Sequence, residues 1–264
     1  MKMYDRFLGA IIGDIVGSIY EFDNIKTKDF PLFSASCEFT DDSIMTIATM
    51  QALLDGSIAP DFVRAYQELG NKYPSSYGSR FQDWLIAKNP QPYNSWGNGS
   101  AMRVSPVAWF YDDLPTVERV AEVSASVTHN HPEGIKGAQT TAVAIFMART
   151  GSSKPEIKRY IESKYDYLLD FTIDDIRPHY IFDESSQGTV PPAIVAFLEG
   201  DSFEDAIRNA VSLGGDSDTL AAITGSIAGA FYGIPDGIYN RALAYLPKEL
   251  NSIVEQFGAA IIDK

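Results

Sequence analysis

The 264-residue sequence has a single cysteine, Cys37, and only three histidines, His129, His131 and His179. One cysteine excludes an intramolecular disulfide framework, and Cys37 with three scattered histidines is too sparse for a zinc cluster. Cys37 is expected to be a small half-buried residue. No stretch approaches the roughly 20 apolar residues of a membrane span. The apolar run Phe7 to Ile12 is short and is interrupted by Gly13-Asp14, so it does not make a signal-peptide core. These absences predict a cytoplasmic chain that does not engage a membrane. Positive charge is scarce as well: 21 Lys and Arg face 35 Asp and Glu, a formal net charge of -14. Such a surface repels nucleic-acid phosphates and anionic lipid, which argues against a nucleic-acid partner. Low-complexity segments, fixed-period repeats and linkers are also missing, so one domain over residues 1–264 is expected.

What is present is helical periodicity. Ile44, Ile47, Ala48, Met50, Leu53 and Leu54 share one stripe, which predicts a helix from Ser43 to Leu54 ended by Asp55-Gly56. Further helices are expected over 60–69, 79–87, 116–126, 133–148, 155–169, 191–198, 203–212, 220–231 and 250–262. The segments 133–148 and 220–231 are rich in Ala, Gly, Ile and Val, as befits helices buried on most sides and packed centrally. Gly9, Gly13 and Gly17 recur every four residues, a pattern for close helix packing, with Asp14 among them as a packing or hydrogen-bonding residue. Strand-like alternation is weak throughout. The expected fold is all-α, one compact domain of many medium helices.

Three segments carry chemistry. Thr40-Asp41-Asp42-Ser43 precedes a helix, where such residues serve as caps and acids suit the positive helix end. A cap needs one side chain, however, and here four oxygen-bearing residues stand together. Gly214-Gly215-Asp216-Ser217-Asp218-Thr219 also precedes a helix, and its paired glycines allow a sharp turn that aims Asp216 and Asp218 at one point. The two clusters together offer four carboxylates and several hydroxyls, a hard-oxygen set suited to magnesium, manganese or calcium. Converging helix N-termini also suit an anionic group such as phosphate. The third segment, 94–103, holds small residues that expose backbone and Trp96 with a flat face. After it, Ser100 to Pro106 reads as helical. Thr128-His129-Asn130-His131-Pro132 precedes a buried helix, so a histidine there is expected to cap the helix or bond a substrate. The polar and aromatic loop 23–38 is long enough for a lid.

Five stretches in this order, Gly9 to Glu21, Thr40 to Ser43, Gly97 to Val104, Thr128 to Gly137 and Gly214 to Thr219, resemble the ADP-ribosylglycohydrolase family, also called the dinitrogenase reductase-activating glycohydrolase family. The resemblance implies a compact helical fold with a binuclear magnesium centre, for which manganese is a possible substitute. It places Thr40, Asp41, Asp42, Asp216, Asp218 and Thr219 at the metal ligands, and Glu21 on a flap over the scissile bond. The family's diphosphate- and sugar-cradling loop falls on Ser95, Trp96, Gly97, Asn98 and Gly99, with Trp96 near the adenine. Met102 belongs to the same substrate-facing stretch, and His129 matches a histidine near the ribose. Ser43 stands where many relatives have a second threonine.

The implied reaction is magnesium-dependent hydrolysis of the bond between ADP-ribose and an acceptor, either a protein side chain such as arginine or a small molecule. Glu21, Asp41, Asp42 and Asp216 are the candidates for the proton-accepting group. Two other readings fit parts of the sequence. One is a structural or ADP-ribose-binding member without activity, which the six intact ligand positions oppose. The other is a different magnesium-dependent phosphate-ester hydrolase, which the lack of a P-loop opposes. A monomer is expected.

Overall fold

The computed structural model describes residues 3–262. A 3-10 turn, Met3–Leu8, leads into α1 (Gly9–Gly17), and a second, Ser18–Tyr20, follows it. Then come α2 (Asp41–Asp55), α3 (Ala59–Lys72), α4 (Ser79–Ile86), the single turns α5 (Gly99–Met102) and α6 (Val107–Phe110), α7 (Leu114–Ser126) and α8 (Pro132–Arg149). The chain continues with α9 (Lys154–Tyr165), α10 (Ile173–Ile176), α11 (Ser186–Glu199), α12 (Phe203–Val211), α13 (Ser217–Tyr232), α14 (Asp236–Leu243) and α15 (Lys248–Ile262). Among the described residues no strand forms. One isolated antiparallel bridge joins Gly97 and Ser185.

The centre of the fold is α13. Beyond Asp218 it carries no charged residue and is buried on every side through Ala230, the pattern of a helix surrounded by others. It is packed by α1, α8, α11 and α12. The closest approach is to α1, along the Gly9, Gly13 and Gly17 face. A Cβ on Gly13 would stand 1.9 Å from the Ala221 carbonyl oxygen, so only glycine lets the two backbones come this near. This pairing brings the end of α1, and the Glu21 that follows, against the start of α13. Buried apolar residues from Phe7 to Phe257 form one contiguous core. No helix among the described residues is long and apolar enough to cross a membrane.

Several boundaries differ from expectation for identifiable reasons. The helices α2 and α13 begin at Asp41 and Ser217, so Asp41, Asp42 and Asp218 sit inside their first turns and only Asp216, the cap of α13, precedes its helix. Helix α9 stops at Tyr165 because Asp166 takes a left-handed conformation, φ 55° and ψ 34°. The stretch after Ser100 makes only the turn α5, since Ser105 precedes Pro106 and is steered away from helix. Helix α11 starts at Ser186, five residues before the expected Pro191, under a Ser185 cap whose hydroxyl accepts from Gly188 N. Pro191 and Pro192 therefore lie inside it. Pro192 cannot donate to the Gly188 carbonyl; the Tyr180 hydroxyl donates there instead, at 2.9 Å. Cys37 is buried.

Candidate metal centre and cleft

The N-termini of α2 and α13 meet at the floor of a cleft of about 280 Å³. Two local devices place them. At the start of α13, Gly214 and Gly215 both adopt positive φ, +66° and +70°, a turn that a side chain would strain. At the start of α2, Asp14 of α1 acts as a strut. Its fully buried carboxylate accepts from Thr40 N at 2.9 Å, Thr40 Oγ1 at 2.6 Å, Ser43 N at 3.0 Å and Ser43 Oγ. Asp14 is thus the hydrogen-bonding residue expected of it, and its partners fix the Thr40-Asp41-Asp42 turn.

The clusters interlock. Thr219 Oγ1 donates to Asp42 Oδ2 at 3.2 Å, and Thr40 Oγ1 lies 3.3 Å from Asp218 Oδ2. Carboxylate oxygens of Asp14, Asp42 and Asp218 approach within 4.8 Å of one another, as do those of Glu21, Asp216 and Asp218. Asp218 belongs to both groups. Asp216 Oδ2 also accepts from Asn98 Nδ2 at 2.6 Å, and Asn98 Nδ2 is 3.0 Å from Thr189 Oγ1. Asp41 points toward Ser75, whose hydroxyl is 3.4 Å away.

So many carboxylates packed together are unstable as anions. Burial first, and neighbouring carboxylates second, push Asp41 up to about 7 and Asp42 well above the ordinary carboxylate range. Asp218 is raised well above that range for the same causes. Burial, then Asp216, Asp41 and Asp14, lift Glu21 to about 8. Burial raises Asp14 to about 6 against its four donors. None of the ion pairs among the described residues involves any of these acids. Among the described residues, Asp42 Oδ1 is buried without a hydrogen-bond partner. A hard cation would supply both the missing charge and the missing partner, and a set made only of carboxylate and hydroxyl oxygens fits such an ion.

The cleft gathers most of the expected substrate contacts. Ser95, Gly97, Asn98, Gly99, Met102 and His129 line it together with Glu21, Asp41, Asp42, Asp216, Asp218 and Thr219. Thr40 is buried just beneath. Met102 Sδ lies 3.9 Å from Thr219 Oγ1. Trp96 is not brought into the lining. It is 48% exposed and its ring packs edge-on against His131 at 5.6 Å. The two histidines divide the expected roles: His131 Nδ1 accepts from Glu133 N and caps α8, whereas His129 faces the cleft.

Sequence reasoning missed the opposite wall. Arg80, Tyr93, Arg103, Phe182 and Glu184 also line the cleft. The 182–186 segment is held there by Asn98 N donating to the Glu184 carbonyl at 2.7 Å and Ser186 N donating to Trp96 O at 2.9 Å. The Ser185 capping signal was available to locate it. The loop 23–38, expected as a lid, is fastened along its length. Lys26 Nζ donates to Tyr180 O and Leu213 O, Arg208 to the Lys28 and Phe30 carbonyls, and the Tyr245 hydroxyl to Ser34 O.

Comparison with known proteins identifies what carries such a cleft. The model of the ADP-ribosylglycohydrolase family matches residues 2–263. The ADP-ribosylhydrolase ARH3 of Mus musculus is 26% identical over 86% of this chain and 82% of its own. The ADP-ribosylarginine hydrolase Tri1 of Pseudomonas putida is 27% identical over 86% of this chain and 69% of its own. A solved structure described as an ADP-ribosylglycohydrolase-related protein complex shares the fold, with a TM-score of 0.74, 22% identity, and coverage of 98% of this chain and 99% of that one.

Proposed function

Because the chain belongs to the ADP-ribosylglycohydrolase family, we propose that it hydrolyses the glycosidic bond between ADP-ribose and an acceptor, a protein side chain such as arginine or a small molecule, with magnesium. The observation that carries this reading is the pair of carboxylate groups sharing Asp218 where two helix N-termini meet. A shared carboxylate between two groups suits two ions. Thr40, Asp41, Asp42, Asp216, Asp218 and Thr219 would hold them, while Asp14, its oxygens already taken by four donors, positions the first cluster from behind. When bound, magnesium, or manganese in its place, supplies positive charge that orients the ribose hydroxyls and eases deprotonation of a water.

The remaining work falls to the chain. Glu21 is half-buried at the cleft, with an oxygen within 4.8 Å of carboxylate oxygens of Asp216 and Asp218. It has access to both the floor and the open cleft, and is placed to pass a proton between water and the departing acceptor. Bond cleavage at C1 proceeds through oxocarbenium-like character, which the surrounding carboxylates favour electrostatically. Asn98 orients Asp216 from the side. The small residues Gly97 and Gly99 let a diphosphate approach backbone, and Ser95, Met102 and His129 bound the same space. Trp96 offers its exposed face beside the cleft to the adenine.

The test is release of ADP-ribose from an ADP-ribosyl-arginine protein and from a panel of other ADP-ribosylated acceptors, with magnesium and after chelation. Turnover should require the metal, and Asp216→Asn should lower it at least about a hundredfold. Undiminished release by that variant, or by the chelated protein, would remove the metal assignment.

A further inference from the structure

Arg103 is a buried cation with no carboxylate partner among the described residues. It is 1% exposed, lies at the end of α5, and lines the cleft. Its guanidinium stands 4.2 Å from the centre of the Tyr66 ring, and its Nε has no partner. Burying a charge this way is costly unless something nearby uses it. Its Nη2 donates to the Ser124 carbonyl at 3.1 Å and to Thr128 Oγ1 at 2.7 Å.

The second bond dictates what Thr128 can do. A guanidinium only donates, so Thr128 Oγ1 accepts from it and keeps one proton to give. The His129 Nδ1 lies 2.7 Å away, whereas the alternative acceptor, the Ala125 carbonyl, is at 3.4 Å. The hydroxyl proton therefore goes to Nδ1. In a neutral imidazole whose Nδ1 accepts, Nε2 carries the hydrogen. Nε2 faces the Gly97-Gly99 backbone: a Cβ on Gly99 would stand 3.2 Å from it, and one on Gly97 3.5 Å.

Burial and the neighbouring arginines favour the neutral ring, and the carboxylates of the cleft oppose it. Burial chiefly, then the positive charges of Arg103 and Arg80, hold His129 well below its ordinary range. The Tyr93 ring lies 5.9 Å away, and the Glu184 carboxylate is in the same cleft. A neutral donor suits this position. Glu21, Asp41, Asp42, Asp216 and Asp218 line the same cleft and favour an imidazolium, but burial and the two arginines outweigh them at the ring itself.

We propose that Arg103 and Thr128 are positioning residues that lock His129 as an Nε2–H donor to an oxygen of the bound ADP-ribosyl group. The identity of that ligand rests on the function proposed above; the lock itself does not, and is measured without substrate.

The experiment is nitrogen-15 NMR of histidine-labelled, ligand-free protein, with His129 assigned by a His129→Gln variant. In the wild type, Nδ1 should be the unprotonated nitrogen, shifted by an accepted hydrogen bond, and the ring should stay neutral at about pH 6.5, where a free imidazole is half-charged. Thr128→Val should move the Nδ1 resonance to that of a free acceptor, and Thr128→Ser should restore it. Arg103→Met frees the Thr128 hydroxyl to accept from Nδ1–H, so Nδ1 should become partly protonated; if that variant does not fold, the Thr128 pair still decides. A protonated Nδ1 in the wild type, a ring half-charged there at about pH 6.5, or a Thr128→Val resonance identical to wild type would overturn the lock. With substrate, Thr128→Val should raise KM about fivefold, the scale of one hydrogen bond, and Thr128→Ser should recover it. Unchanged KM with a shifted resonance would overturn the ligand role alone.

Discussion

Asn24 and Gly215, 191 residues apart in sequence, hydrogen-bond to each other in both directions: Gly215 N donates to Asn24 Oδ1 at 2.8 Å, and Asn24 Nδ2 donates to the Gly215 carbonyl at 3.0 Å. The same amide reaches the carbonyls of Tyr20 and Glu21 at 2.7 and 2.9 Å. One side chain thus ties the Glu21 segment to the turn that aims Asp216 and Asp218. Asn24→Ala should lose about 1–2 kcal/mol of stability, the range for partly buried hydrogen bonds left unpaired. Turnover should fall about tenfold or more at temperatures where the variant is fully folded, because Glu21 is released from register with the acids. Thermal melts beside steady-state kinetics check this; a destabilised variant with wild-type turnover would refute the coupling.

Asp14 presents its carboxylate to four donors on Thr40 and Ser43, three on Oδ2 and one on Oδ1, and Asn at this position must turn an NH2 toward one of these two sets. Asp14→Asn should therefore misplace the Thr40-Asp41-Asp42 turn without touching an exposed surface. Magnesium affinity by calorimetry should fall about 10- to 100-fold, the usual effect of losing a residue that orients ligands. Affinity equal to wild type would show that the turn holds its own shape.

The acidic floor was legible in the sequence because its signals are local. A hydroxyl and two acids before a helical stripe, and two glycines before Asp216-Ser217-Asp218-Thr219, each announce a helix start, and the geometry follows from joining two such starts. The glycine spacing on α1 was legible for the same reason. The opposite wall was not. Arg103 meets Thr128 across 25 residues, and nothing near either one signals the contact. The start of α11 was obscured by Pro191 and Pro192, since their tolerance depends on a hydroxyl from Tyr180 outside the helix. The position of Trp96 beside His131 likewise depends on how two loops dock, and no periodicity encodes that.

Gly13 tests the packing that carries both clusters. An added methyl would overlap the Ala221 carbonyl of the central helix, a backbone atom that cannot rotate away. Gly13→Ala should cost about 3 kcal/mol, the upper end for overpacking, although alanine is the better helix former. Because α13 must shift to make room, magnesium affinity should fall with stability. Chemical denaturation and metal titration of the same variant check this; a stability change within about 0.5 kcal/mol would show that α1 and α13 slide freely.

The raised carboxylates make a prediction about pH and metal. In the metal-free fold, Asp14 titrates at about 6 and Asp41 at about 7, above the 3.8 of an ordinary aspartate. The folded state therefore binds more protons than the unfolded chain through this interval. Stability then falls as pH rises. The stabilisation is present in acid and is lost between about pH 4 and 7, on the order of 3 kcal/mol for buried Asp14 alone. Magnesium should reverse the sense, since it favours the ionised carboxylates and competes with protons. Chelated protein should melt at a lower temperature at about pH 8 than at about pH 5, and added magnesium should raise Tm more at the higher pH. Equal melting at both values after chelation, with an equal magnesium shift, would show that the buried acids are neutralised by something other than protons or a cation.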